Sequence, residues 1–152
     1  KLKLMKSIYD KASNEAIIAR IQQLTPESQG LWGLMNVDQM LKHCSAAIDV
    51  AFGQKEIKVS FLMKVLGRVA KKKVFTNKFL HNSPTAKEFV FKETYDFELA
   101  KQELIGKFSR FASEGPAAIK IKKHPFWGNM TEEDWDTLMW KHLDHHLRQF
   151  GV

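Results

Sequence analysis

Residues 131–149 read TEEDWDTLMWKHLDHHLRQ, and this stretch decides the fold. Thr131 and Asp134 have the spacing of a reciprocal cap, and Glu132 and Glu133 suit the positive end of a helix dipole. The pattern predicts a helix from Glu132 to about Gln149. Projected at about 100° per residue with Trp135 at zero, Met139 lies at about +40°, His142 at about −20° and His146 at about +20°. Lys141, Asp144 and Arg148 fall on the opposite side, so Asp144, like Asp136, is read as a solvated charge. His145, at about −80°, stands at the border of the two faces. The helix therefore turns two histidines inward with its apolar stripe and leaves a third at its flank.

Working back along the chain, Asp96 reads as the cap of a helix carrying Leu99, Leu104, Ile105, Phe108 and Phe111, ended by Gly115-Pro116. Ser60 caps another with Phe61, Leu62, Val65, Leu66 and Val69, followed by a less regular stretch from Lys71 to Lys87. A helix from Asn36, boxed by Gln39, runs through Phe52 to Gly53. A first helix covers Ser13 to Leu24 and stops at Thr25-Pro26. No strand alternation is convincing. The expectation is an all-α fold: four principal helices and short helical segments in a bundle, forming one domain over residues 1–152.

Of 152 residues, 44% are hydrophobic and 27% charged, the balance of an ordinary globular chain with enough length for a core. The net charge of +7 favours an anionic partner without choosing one. Lys71-Lys72-Lys73 and the Lys120, Lys122, Lys123 cluster read as solvated faces, because interleaved exposed aromatics or a reading helix are not evident; no nucleic-acid partner is expected. A single cysteine, Cys44, excludes an internal disulfide and suits a reducing compartment. Residues Lys1 to Asp10 lack the apolar run of a signal peptide, and no stretch approaches a membrane span. A cytoplasmic location without a membrane partner is the expectation.

Positions 142 and 146 are one helical turn apart and can aim their imidazoles at a common point. Neutral imidazole is a favoured ligand for zinc, nickel, copper and iron. Two histidines make a weak site, so a third must come from another helix. His43 is the best candidate, lying among Gln39, Met40, Ala46, Ala47 and Val50, with Asp38, Lys42 and Asp49 on the other side of its helix. Three histidines leave positions open for water or substrate, as catalytic rather than sealed sites do. Cys44 points about 100° away from His43 and is read as a buried structural thiol.

WGLMNVDQMLKH at 32–43, HPFWG at 124–128 and KHLDHHLRQFG at 141–151 resemble a bacterial family within the DinB/YfiT-like superfamily of metalloenzymes. The likeness extends from about Arg20 to Gly151. It implies a four-helix bundle and a mononuclear site with His43, His142 and His146 as ligands and His145 outside the first shell. Relatives bind zinc, nickel or related ions, and several transfer low-molecular-weight thiols such as bacillithiol or mycothiol; one divalent ion is expected here, zinc or nickel first and iron next. They often pair as homodimers, so a homodimer is expected by analogy. Gln149 is placed to hydrogen-bond a ligand or bound water. His81, in a loop over the metal mouth, and His124, beside Trp127, are candidates to line it, although a packed turn is the plainer reading of His124-Pro125-Phe126. Trp32, Trp135 and Trp140 are read as core or packing aromatics.

These residues point to a metal-dependent enzyme acting on a small molecule, with thiol transfer the first reaction expected and hydrolysis the second. A non-catalytic metal- or ligand-binding stress-response bundle is the alternative, because no acid/base residue stands out beside the histidines. DNA binding comes third.

Overall fold

The computed structural model describes residues 6–152, so part of the Lys1–Asp10 stretch read for a leader lies outside it. Five α-helices carry the described residues: α1 (Lys11–Gln22), α2 (Val37–Ala51), α3 (Phe61–Thr76), α4 (Phe97–Glu114) and α5 (Glu132–Gln149). Short 3-10 turns occupy Lys87–Phe89 and Gly115–Ala118. The all-α expectation gains one small exception. Lys123–His124 (β1) pairs antiparallel with Gly128–Asn129 (β2), where the Lys120, Lys122, Lys123 cluster meets the His124-Pro125-Phe126 turn. Two residues a side are too few for alternation to show.

Local chemistry sets the helix ends. Asp10, Ser60, Asp96 and Thr131 each accept a hydrogen bond from the amide three residues on. Gln39 accepts from the Asn36 amide at 2.9 Å, as the box predicts. Gly53 and Gly115 take positive φ (+70° and +64°) where α2 and α4 end, a conformation that costs glycine little.

The core is built by α1, α2, α4 and α5. Ile17 and Ile21, then Met40, Leu41, Cys44 and Ile48, then Leu104, Phe108 and Phe111, then Trp135, Met139, Leu143 and Leu147 are all buried together. The largest contacts join α2 to α4 and α1 to α4. Asn14 is buried at the second of these, its amide donating to the carbonyls of Ile8 and Phe108, both at 2.9 Å. The charged side of α2 also meets α4: Lys42 pairs with Glu103, and Lys107 with both Glu103 and Asp49. Asp38 accepts from the Tyr95 amide at 2.8 Å.

Two acidic residues read as solvated are paired instead. Asp136 accepts from the Ile8 amide at 2.7 Å, and Asp144 binds Arg20 at 2.8 Å and Arg148 at 3.0 Å. The outer side of α5 is covered there by α1 and the segment before it, which a single-helix projection does not include. The apolar residues that α3 carries, Phe61, Leu62, Val65, Leu66 and Val69, are all exposed. The helix itself runs on through Lys71–Lys73, which the less regular reading of that stretch missed.

Candidate metal centre

His43 projects from α2 and His142 and His146 from α5, at the junction of those two helices. One ring nitrogen from each lies within 4.8 Å of the others. The Nε2 atoms of His43 and His142 are 3.0 Å apart. Ring centroids stand 5.0 Å (His43–His142), 4.6 Å (His43–His146) and 4.7 Å (His142–His146) from one another. Nitrogens about 2.0–2.1 Å from a shared ion lie roughly 3 Å apart, a spacing that the His43–His142 pair already has. Such a group can hold one metal ion.

The outer hydrogen bonds fix which nitrogen faces inward. His43 Nδ1 lies 2.9 Å from the carbonyl oxygen of Phe89, in the 3-10 turn. A carbonyl only accepts, so Nδ1 carries the proton and Nε2 keeps its lone pair. The Gln149 amide nitrogen donates to the Trp32 carbonyl at 2.8 Å, which turns its Oε1 toward His146. That oxygen accepts from His146 Nδ1 at 2.8 Å, and Nε2 of His146 is again the free acceptor. His142 differs: its Nδ1 is buried without a partner among the described residues, and its Nε2 faces His43. Either a proton or a cation reconciles the short Nε2–Nε2 approach. A shared cation would also use the His146 lone pair.

Burial keeps this group neutral. It lowers the His43 pKa against the opposing bond from Phe89. It drives His142 well below the ordinary histidine value, with His146, His43 and His145 adding to the effect. His146 falls from 6.5 to about 3, burial again first and the neighbouring His43 second. His43 and His146 are 6% and 8% exposed, and His142 is half-buried, with its Nδ1 buried.

His145 is not one of the three that converge; its ring is edge-on to His146 at 5.1 Å and to Trp32 at 5.6 Å. His81 stacks on Trp32, centroids 3.7 Å apart and planes 5° from parallel, and lies 6.0 Å from His145. Together these rings form an aromatic layer beside the cluster. Trp32 is thus a half-buried loop residue rather than a core one.

His124 is in the hairpin, apart from this layer. Its Nδ1 accepts from the Phe126 and Trp127 amides at 3.0 and 3.2 Å, and its ring packs on Trp135. The turn thus takes up its Nδ1 lone pair. Burial lowers its pKa from 6.5 to about 4, with Lys71 contributing. The Cys44 thiol lies 3.7 Å from the Met40 sulfur, and burial raises its pKa well above the ordinary thiol range, which favours a structural group over a thiolate ligand.

Backbone groups complete the centre, and no side-chain motif announces them. The Phe89 and Trp32 carbonyls orient His43 and Gln149, while the Leu31 amide donates to the Gln149 carbonyl at 2.6 Å. Gly33 was the available signal. At φ +81° it is suited to glycine, and a Cβ there would meet the Gln149 amide nitrogen at 2.5 Å.

A family described as protein of unknown function (DUF1569) matches residues 5–151 of the chain. No curated protein and no solved structure gives a match.

Proposed function

The chain belongs to this family of unknown function, and from that premise we propose a metal-dependent enzyme that acts on a small molecule through His43, His142 and His146. The observation that carries the reading is the convergence of three neutral imidazoles from two helices, two with Nδ1 committed outward and Nε2 directed inward. The donor set suits zinc or nickel first and iron next, and it supplies three ligands. The helices α1, α2, α4 and α5 are read as the four-helix bundle of the DinB/YfiT-like superfamily, α3 and the hairpin being additions to it.

A bound divalent metal supplies Lewis acidity, bringing a water or thiol to its nucleophilic form near neutral pH. The protein's part is positional. Phe89 holds the His43 ring in one tautomer, and Gln149 does the same for His146. Half-buried His142 marks the side from which a small substrate approaches. Thiol transfer to an electrophile is the first reaction in this reading and hydrolysis the second. A small-molecule thiol is the proposed substrate class, and a homodimer the proposed assembly.

A second reading rests on the neighbours of the three rings. The groups that hydrogen-bond them are a backbone carbonyl and a neutral amide, with no carboxylate to act as acid or base. A metal-binding protein without catalysis fits that surrounding. The test is a panel of thiol–electrophile pairs and simple esters with zinc-, nickel- and iron-loaded protein. Turnover that follows the metal and vanishes in His142→Ala supports the enzyme. Metal binding with an inactive panel supports the second reading.

A further inference from the structure

We propose that α3 and the basic segment around it form a docking surface that lies on an anionic lipid bilayer. Read from sequence alone, Lys71-Lys72-Lys73 is a solvated face and no membrane partner is expected; the structure places an apolar surface among these cations. With Gly67 at zero on the helix projection, Phe61, Leu62, Val65, Leu66 and Val69 occupy an arc from about 120° to about 260°. Arg68, Lys72 and Lys73 fall in or at the edge of the same arc, between about 100° and about 240°. All eight are exposed, Phe61 and Val69 by 80% and 78%.

The opposite side of α3 is the fastened one. Gly67 lies against the Phe126 carbonyl in a space that a Cβ would fill. Lys71 bonds the Asn129 carbonyl and Asp134, and Lys141 of α5 reaches the carbonyls of Val74, Phe75 and Asn77 at the helix end. The apolar arc is therefore held outward by contacts on its back.

Charge chooses the occupant. Between Ile57 and Lys87 stand eight Lys and Arg residues and no Asp or Glu, out of 24 and 17 in the whole chain. The other residues hold 16 cations against 17 anions, so the entire positive excess resides in this segment. A second copy docked symmetrically on the same face would oppose Arg68, Lys72 and Lys73 to their own like charges. A nucleic acid would satisfy the cations and leave five aliphatic and aromatic side chains in water. An anionic bilayer surface accepts both, with the apolar side chains at the acyl boundary and the cations among headgroup phosphates. No helix among the described residues is long and apolar enough to cross a membrane, so the contact is peripheral.

Cosedimentation of the full chain in low-salt buffer tests this, using phosphatidylcholine vesicles with and without about one quarter phosphatidylglycerol. The expected result is binding to the anionic vesicles alone, falling as salt rises. Leu62→Ser with Val69→Ser, and separately Lys72→Glu with Lys73→Glu, should each weaken partitioning by about tenfold or more. Absence of binding by the parent protein to anionic vesicles overturns the proposal without recourse to any variant. So does anionic binding that the apolar pair leaves unchanged, which would be charge alone. A lipid-free dimer that the apolar pair dissociates assigns the face to a second copy and also overturns it.

Discussion

Two regions of this molecule hold buried neutral histidines, and their nitrogens are put to opposite uses. In the hairpin, His124 spends its unprotonated Nδ1 on the amides of Phe126 and Trp127 and so holds a turn closed. At the α2–α5 junction, His43 and His146 use their protonated Nδ1 atoms on outside acceptors and direct their lone pairs at one another and at His142. Burial and depressed pKa are common to both regions. The direction of the free lone pair is what separates a structural histidine from a candidate ligand.

The largest expected effect attacks the junction. His43→Ala or His142→Ala should weaken metal binding by more than about a hundredfold, beyond the range for residues that merely orient ligands. Competition with a coloured chelator measures it. Gln149→Ala should cost about 10–100-fold in the same assay, because His146 loses the partner that fixes its tautomer.

His124→Ala is the control from the other region. It should leave metal affinity unchanged and lower unfolding stability in denaturant by about 1–3 kcal/mol, through two amides left without an acceptor. A loss of metal in that variant would erase the distinction between the regions.

Within any one pH unit, acid produces a smaller effect in both. Folding holds these rings neutral while the unfolded chain protonates them near the ordinary 6.5, so stability is full above that value and declines as pH falls. The decline should continue to about 4 for His124 and about 3 for His146. Each ring contributes at most about 1.4 kcal/mol per pH unit within its window. Denaturant titrations of the parent and His124→Ala proteins below pH 6.5 separate the hairpin's share from that of the junction.

The junction was more legible in the sequence than the rest because its signal is local. Histidines at 142 and 146, with Trp135 and Met139 on the same stripe, define an inward face from helix geometry alone, and His43 sits on the uncharged arc of α2. The capping residues of α2 to α5 are local signals too: Asn36–Gln39, Ser60, Asp96 and Thr131–Asp134 all act close to their predicted helix starts.

What failed depends on tertiary partners. Asp144 looks solvent-facing until Arg20 of α1 is brought beside it. The apolar residues of α3 look like core until Gly67, Lys71 and Lys141 fasten the helix by its other side. The carbonyls of Trp32 and Phe89, which set the site's tautomers, belong to every residue type and have no sequence signature.

Elemental analysis of untagged protein after extensive dialysis, followed by a cobalt titration of stripped protein, puts the shared-ion account to its most direct test. About one transition-metal ion per chain, with cobalt absorption that disappears in His43→Ala, is the predicted outcome. A folded parent protein that carries no metal and gives no cobalt band would mean that a proton, rather than an ion, lies between His43 and His142.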